Sequence, residues 1–333
     1  MSYREDFFRM LEGKTPVSDV AYYRMGTYAV EGQPNGVVRL QPELANSTPV
    51  ATTGKNRWGI EHELDFLGTG FIPKPGDFKL KDVTKWKDVV KAPYVENYDF
   101  KAEVDRTLAT LNFDPKTQIL QLSGLGGGYF LQLVSFMGFE GAMIAMAEEP
   151  EATFELISYF CDHDCWLVDN YLTHLKGKVD YIGFGDDNAT ESNPFMSYDM
   201  FKKLLLPNYK RVFDVARKHG VIISYHNCGR CEDFMQDFVD IGTQIWNCAT
   251  PVNDLKAFKE KYDNKIIVEL MPRIYPNANE EQTRKQVRDA IDAYAPGGAF
   301  IWIGSSSTNN PEGRAVDEWV YDEVSKYGKN FYK

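Results

Sequence analysis

From residue 118 onward, short apolar runs alternate with stretches of helical period. The runs 118–122, 179–184, 221–226, 243–248, 265–270 and 299–303 have strand length and strand composition. Between them, apolar positions recur every three to four residues. Pro150 opens a long amphipathic helix whose apolar side carries Phe154, Ile157, Phe160, Cys161, Val168 and Tyr171. Ser197 caps a helix that runs to His219, interrupted by Pro207 and ended by Gly220. Further helices are expected over 232–241, 254–262 and 280–294. Repeated β-α units with short links imply a parallel sheet with right-handed crossovers, either a barrel or an open doubly wound sheet. The first hundred or so residues are less regular: a short helix over 7–11, a strand over 19–23, and loop over 32–56, where Gly, Pro, Asn and Thr crowd.

In both architectures ligands bind at the carboxyl ends of the strands. The residues there are Asp186 and Asp187, His226 and Cys228, Cys248, Glu269 and Ser305. Ligand-type side chains at strand end after strand end are the strongest indication of an enzyme site. His226 and Cys228 are two apart on a strand end and so project together. Imidazole with thiolate suits zinc; a buried histidine beside a structural thiol is the competing reading. Asp186 and Asp187 either orient a substrate or cap the neighbouring loop.

Other motifs carry less. The loop Gly124-Leu125-Gly126-Gly127-Gly128 has Tyr129 where a dinucleotide fingerprint needs its third glycine, which argues against nucleotide binding. Within Cys161-Asp162-His163-Asp164-Cys165, His163 lies about 200° around a helix from Cys161, so the thiols are read as core. Cys228-Gly229-Arg230-Cys231 has thioredoxin-like spacing, but that motif belongs to a much smaller fold. Trp58, followed by Glu61, Glu63 and Asp65, is a rim aromatic suited to an apolar group.

The net charge of −11 and pI near 5.1 exclude a surface built for nucleic acid or anionic membrane. No run approaches the ~20 apolar residues of a membrane span. The amino terminus lacks a signal-peptide layout. Five cysteines read as free thiols in a reducing compartment, which points to the cytoplasm.

The chain resembles the uroporphyrinogen decarboxylase-like superfamily across Asp180-Tyr181-Ile182-Gly183-Phe184-Gly185-Asp186-Asp187, Phe201 to Pro207, Gly220 to Gly229, and Gly138-Phe139-Glu140. The resemblance implies a (β/α)8 TIM barrel with an irregular N-terminal extension. One domain would span 1–333, with the N-terminal segment and first strand over about 1–115 and regular repeats over 116–333. True decarboxylases of this superfamily carry an Arg-rich amino-terminal signature; here only Arg24 stands among Tyr22, Tyr23, Met25 and Gly26. The chain is more similar to the corrinoid-dependent (cobalamin:coenzyme M type) methyltransferases, whose zinc motif is His-x-Cys with a second Cys after the last strand. His226 and Cys228 match its first half, but Ile303-Gly304-Ser305-Ser306-Ser307 holds no cysteine. The third zinc ligand is then expected among Glu269, Cys248 and Cys231, with Asp186, Asp187, Trp58 and Ser305 as catalytic or substrate-binding residues. By this resemblance the substrate is a small methylated molecule or a thiol, and the corrinoid sits on a separate partner protein; a homodimer is also compatible. A metal-independent decarboxylase or lyase, or a non-catalytic binding protein on the same barrel, are the alternatives.

Overall fold

A computed structural model describes residues 2–24, 35–44, 53–64, 71–271, 274, 278–304 and 311–333, with the side chains of 24, 53, 248 and 311–314 outside the description. In chain order the elements are α1 (Tyr3–Leu11), β1 (Ala21–Arg24), β2 (Val37–Leu40), β3 (Thr53–Lys55), β4 (Glu61–Leu64), β5 (Phe71–Pro73), α2 (Trp86–Val89), α3 (Phe100–Thr110) and β6 (Ile119–Ser123). Then follow α4 (Tyr129–Glu148), α5 (Pro150–His174), β7 (Tyr181–Gly185), α6 (Tyr198–Met200), α7 (Leu206–Lys218), β8 (Ile222–His226) and α8 (Glu232–Asp240). The chain ends with β9 (Ile245–Ala249), α9 (Leu255–Lys261), β10 (Ile267–Leu270), α10 (Glu280–Tyr294), β11 (Phe300–Gly304) and α11 (Pro311–Tyr327).

Eight strands form one parallel sheet in the order β1-β11-β10-β9-β8-β7-β6-β2. That is chain order taken around a circle, and the sheet is a nearly closed (β/α)8 barrel. Alternation along the strands divides the apolar residues into two clusters. Ala21, Val37, Ile119, Tyr181, Ile245, Ile267 and Ile301 point inward and meet Phe7 and Met10 of α1, which plugs the amino-terminal end. Leu120, Ile182, Ile223, Tyr225, Trp246, Val268 and Trp302 point outward and pack beneath the helices. Trp302 and Tyr225 are therefore outer-core residues. Arg4 ties α1 to the barrel through two hydrogen bonds to Asp180, of 2.6 and 2.7 Å.

Two sequence expectations change. The stretch expected as loop holds β2, because Val37-Val38-Arg39-Leu40 is a strand too short to show through the turn residues around it. The small antiparallel sheet β3-β4-β5 also lies between barrel strands β2 and β6. Second, α4 is long and apolar enough to cross a membrane by length and composition, contrary to the reading of the sequence. It packs against α5 as a member of the helical ring, with Phe136 stacked on Phe160 at 5.6 Å. Gly138 breaks it with φ 75°, and a side chain there would meet the Phe78 ring.

Pro207 sits just after a π-helical turn, Phe201–Leu205, at the start of α7. Proline lacks the N–H that an unbroken helix requires, and the wider turn accommodates this.

Candidate metal centre and adjoining cavity

The carboxyl ends of β7 and β8 converge. Gly185 pairs with His226, and Asp186 N–H donates to His226 O at 3.0 Å. Having no side chain matters at Gly185: a Cβ would lie 2.7 Å from that of His226. The chain then turns so that Asp187, His226 and Cys228 bring one donor atom each within 4.8 Å of one another. His226 Nε2 is 3.5 Å from Asp187 Oδ1 and 3.5 Å from Cys228 Sγ. Tetrahedral zinc with bonds of about 2.0–2.3 Å requires ligand separations of roughly 3.4–3.6 Å, so the spacing suits the ion. Asp187 Oδ1 also accepts from Cys228 N–H at 3.0 Å, which fixes the loop carrying the thiol.

The electrostatics agree. Burial lowers the pKa of His226, but hydrogen bonding to Asp187 and Cys228 outweighs it, and the imidazole ends well above its usual value. Burial raises Asp187, yet its pairing with His226 leaves its carboxyl below the ordinary range. These are the effects of negative donors that favour a cation between them.

Behind the imidazole lies a polar chain. Asn247 Oδ1 is 2.7 Å from His226 Nδ1. The Asn247 amide nitrogen donates to the Tyr23 hydroxyl oxygen at 3.2 Å and to Glu269 Oε2, while Tyr23 O–H donates to the same carboxylate oxygen at 2.8 Å. With its nitrogen so committed, Asn247 turns its oxygen to the imidazole, which must carry its proton on Nδ1. In the neutral ring that a metal would bind, Nε2 then presents its lone pair to the cluster. If the cluster holds zinc, replacing Asn247 with alanine is expected to weaken its binding by about 10–100-fold, the usual cost of losing such a partner. Competition with a chromophoric chelator measures it.

Beside the cluster, under the ends of β6 and β7, opens a cavity of about 300 Å³. Trp58, Leu131, Val134 and Phe160 supply its apolar wall, with His62, Gln132, His163 and Asp164 among its polar lining; Gly183 and Gly185 form its strand side. The glycine loop is held by Asp164, whose Oδ2 accepts from Gly127 N–H at 2.8 Å.

The family model for uroporphyrinogen decarboxylase (URO-D) matches residues 71–304. The chain belongs to the URO-D family. Among solved structures, a methyltransferase from Methanosarcina mazei is similar over 98% of this chain and 99% of its own, with TM-score 0.63 and 12% identity. Xylanase 10B from Thermotoga maritima is similar over 70% of this chain and 83% of its own, with TM-score 0.38 and 13% identity. The first likeness is one of fold. A comparison with curated proteins finds no match.

Within this URO-D family barrel, the strand-end residues take distinct positions. Asp187 joins His226 and Cys228, whereas Asp186 turns away. The Asp186 carboxylate accepts from Phe130 N–H (2.6 Å), Leu131 N–H (2.9 Å) and Tyr209 O–H (2.6 Å), capping α4. Burial pushes its carboxyl up to about 7 against those three hydrogen bonds. Glu269 is fully buried behind Asn247, and burial raises its pKa. Cys231 is also fully buried at the start of α8, with its thiol 3.6 Å from Asn227 O. Cys248 lies in β9 with its side chain outside the described residues, and Ser305 lies outside them altogether. Trp58 lines the cavity, edge-on to Phe160 and His163 at 5.1 Å. Asn247 and Tyr23 were not singled out in the sequence. Both were within reach of the alternation rule, since Asn247 follows inward-facing Ile245 by two and Tyr23 follows Ala21 by two.

Proposed function

We propose that this URO-D family protein is a zinc-dependent methyltransferase that moves a methyl group between a small methylated substrate or thiol and a corrinoid carried by a separate partner protein. The observation that carries the reading is the Asp187–His226–Cys228 donor group, with separations suited to tetrahedral zinc, at the carboxyl mouth of the barrel. The methyltransferase from Methanosarcina mazei, similar from end to end in fold, supports it. One barrel domain, residues 1–333, carries the activity in this reading. The cytoplasm suits it, since five cysteines read as free thiols in a reducing compartment.

Asp187, His226 and Cys228 would hold the ion. Bound there, zinc supplies Lewis acidity, which lowers the pKa of an acceptor thiol or polarises the heteroatom that bears the methyl group. The chain does the rest. Asn247 keeps the His226 proton on Nδ1, Asp187 anchors the Cys228 loop, and the glycine edge of β7 lets substrate approach the cluster. The cavity wall excludes water around the reacting bond and leaves the outer mouth for the partner's corrinoid.

The test is transfer between methylcobalamin and a small thiol, followed by the loss of methylcobalamin absorbance. Transfer should require zinc, stop with a chelator and return when zinc is restored. Transfer at the uncatalysed rate in zinc-loaded protein, with thiols and with methylated donors in the reverse direction, would reject the reading.

A further inference from the structure

The cavity beside the cluster holds polar groups that the protein leaves unanswered. His163 is 2% exposed, and neither ring nitrogen has a hydrogen-bond partner. Its ring is packed by the edges of Trp58 at 5.1 Å and Tyr94 at 5.2 Å, with Trp166 tilted against it at 5.6 Å. The nearest carboxylate, Asp164 Oδ1, is 3.8 Å from Nδ1, beyond hydrogen-bond reach. Gln132 Nε2 is likewise buried without an acceptor. Both residues line the cavity. Buried polar groups in native proteins are almost always satisfied, so two orphans facing one cavity point to a ligand that completes them.

The lining also sets the ligand's charge. Among the described lining residues Arg57 is the one cation and Asp164 the one carboxylate. The two offset each other, so an anion or a cation would enter without a surplus counter-charge. Asp164 is further tied to the glycine loop, its Oδ2 accepting from Gly127 N–H at 2.8 Å. His62 holds its Nδ1 proton against Ile60 O at 3.0 Å, and burial lowers its pKa, so it too meets the cavity uncharged. The walls are aromatic and aliphatic, and the volume of about 300 Å³ admits a substituted ring, since ~150 Å³ suffices for benzene.

We propose that this cavity binds an uncharged, ring-sized, mostly apolar molecule with one hydrogen-bonding group, which His163 and Gln132 engage beside the wall formed by Trp58. The proposal rests on the methyl-transfer reading only in naming this molecule as the substrate that reacts at the cluster. The binding itself needs neither zinc nor corrinoid.

A charge series on one ring tests it: phenol, benzoate and benzylamine titrated into the full chain by calorimetry, with and without chelator. Phenol should bind at one site per chain, with benzoate and benzylamine at least about tenfold weaker because each must bury an unpaired charge. His163→Phe and Gln132→Leu should each weaken phenol about tenfold, the loss from one unmade buried hydrogen bond. His163→Phe keeps the ring's shape within its aromatic neighbours, and Gln132→Leu sits on the partly exposed face of α4, so at least one folded variant is available. Equal or tighter binding of a charged ring, no binding of any of the three, or indifference of phenol to both substitutions would overturn the proposal. Because turnover is not read, failure of methyl transfer would leave these binding results intact.

Discussion

Cys228→Ser is expected to remove zinc from a protein that still folds. The thiol is half-buried at the barrel mouth, where a serine of similar shape disturbs little packing. A hydroxyl stays protonated where the thiol ionises, so the soft anionic donor is lost. Zinc sites are worth about 10–16 kcal/mol in all, so one ligand of three accounts for ~3–5 kcal/mol, a factor of about 10²–10⁴ in affinity. His226→Ala should lose a comparable amount. Dialysed variants are expected to carry little zinc, to lose methyl transfer with it, and to melt in chelator like the wild type. Full zinc content in Cys228→Ser would mean that the thiol is not a ligand.

The adjacent aspartates should separate cleanly. Asp186→Ala leaves the N–H groups of Phe130 and Leu131 and the Tyr209 hydroxyl without their acceptor. Unmet buried groups cost ~1–3 kcal/mol each, so the fold should lose about 4 kcal/mol, read as a lower urea midpoint at unchanged slope. Zinc affinity of the folded fraction should stay near wild type. Asp187→Ala is expected to do the reverse, with little change in the urea midpoint and a large drop in zinc affinity. If Asp186→Ala unfolds like wild type yet loses activity, its assignment as the α4 cap is wrong.

This division was only half legible in the sequence. Alternation from inward-facing Tyr181 puts Asp187 on the inner side, but the strand ends at Gly185, two residues short of it. The direction depends on the turn after Gly185, which is set by the hydrogen bonds from Asp186 N to His226 O and from Asn188 N to Asn227 Oδ1. His226 and Cys228 were readable because their spacing alone puts them together. Glu269 faces inward as alternation predicts, but strand tilt makes the row His226–Asn247–Glu269 run obliquely around the barrel. Its carboxylate therefore ends behind the imidazole, below the mouth, a displacement that depends on barrel stagger.

The fold was clearer than the site. Regular β-α alternation after residue 118 announced a parallel sheet, and the family resemblance selected the closed form. What stayed hidden was β2, four residues long, and the true character of α4. α4 is apolar on several faces: Phe130, Leu133 and Phe136 are buried, while Leu131, Phe139 and Ile144 remain exposed. Such a helix has little amphipathic period to read, and its kink at Gly138 interrupts that further.

In the proposed site one sulfur, one imidazole and one carboxylate bind the zinc. Zinc K-edge X-ray absorption on the loaded protein tests it most directly. One sulfur near 2.3 Å with the remaining ligands nitrogen or oxygen near 2.0–2.1 Å is the expected shell, and the sulfur should vanish in Cys228→Ser. Two sulfurs in the shell, or no zinc retained by wild-type protein supplied with the metal, would contradict it.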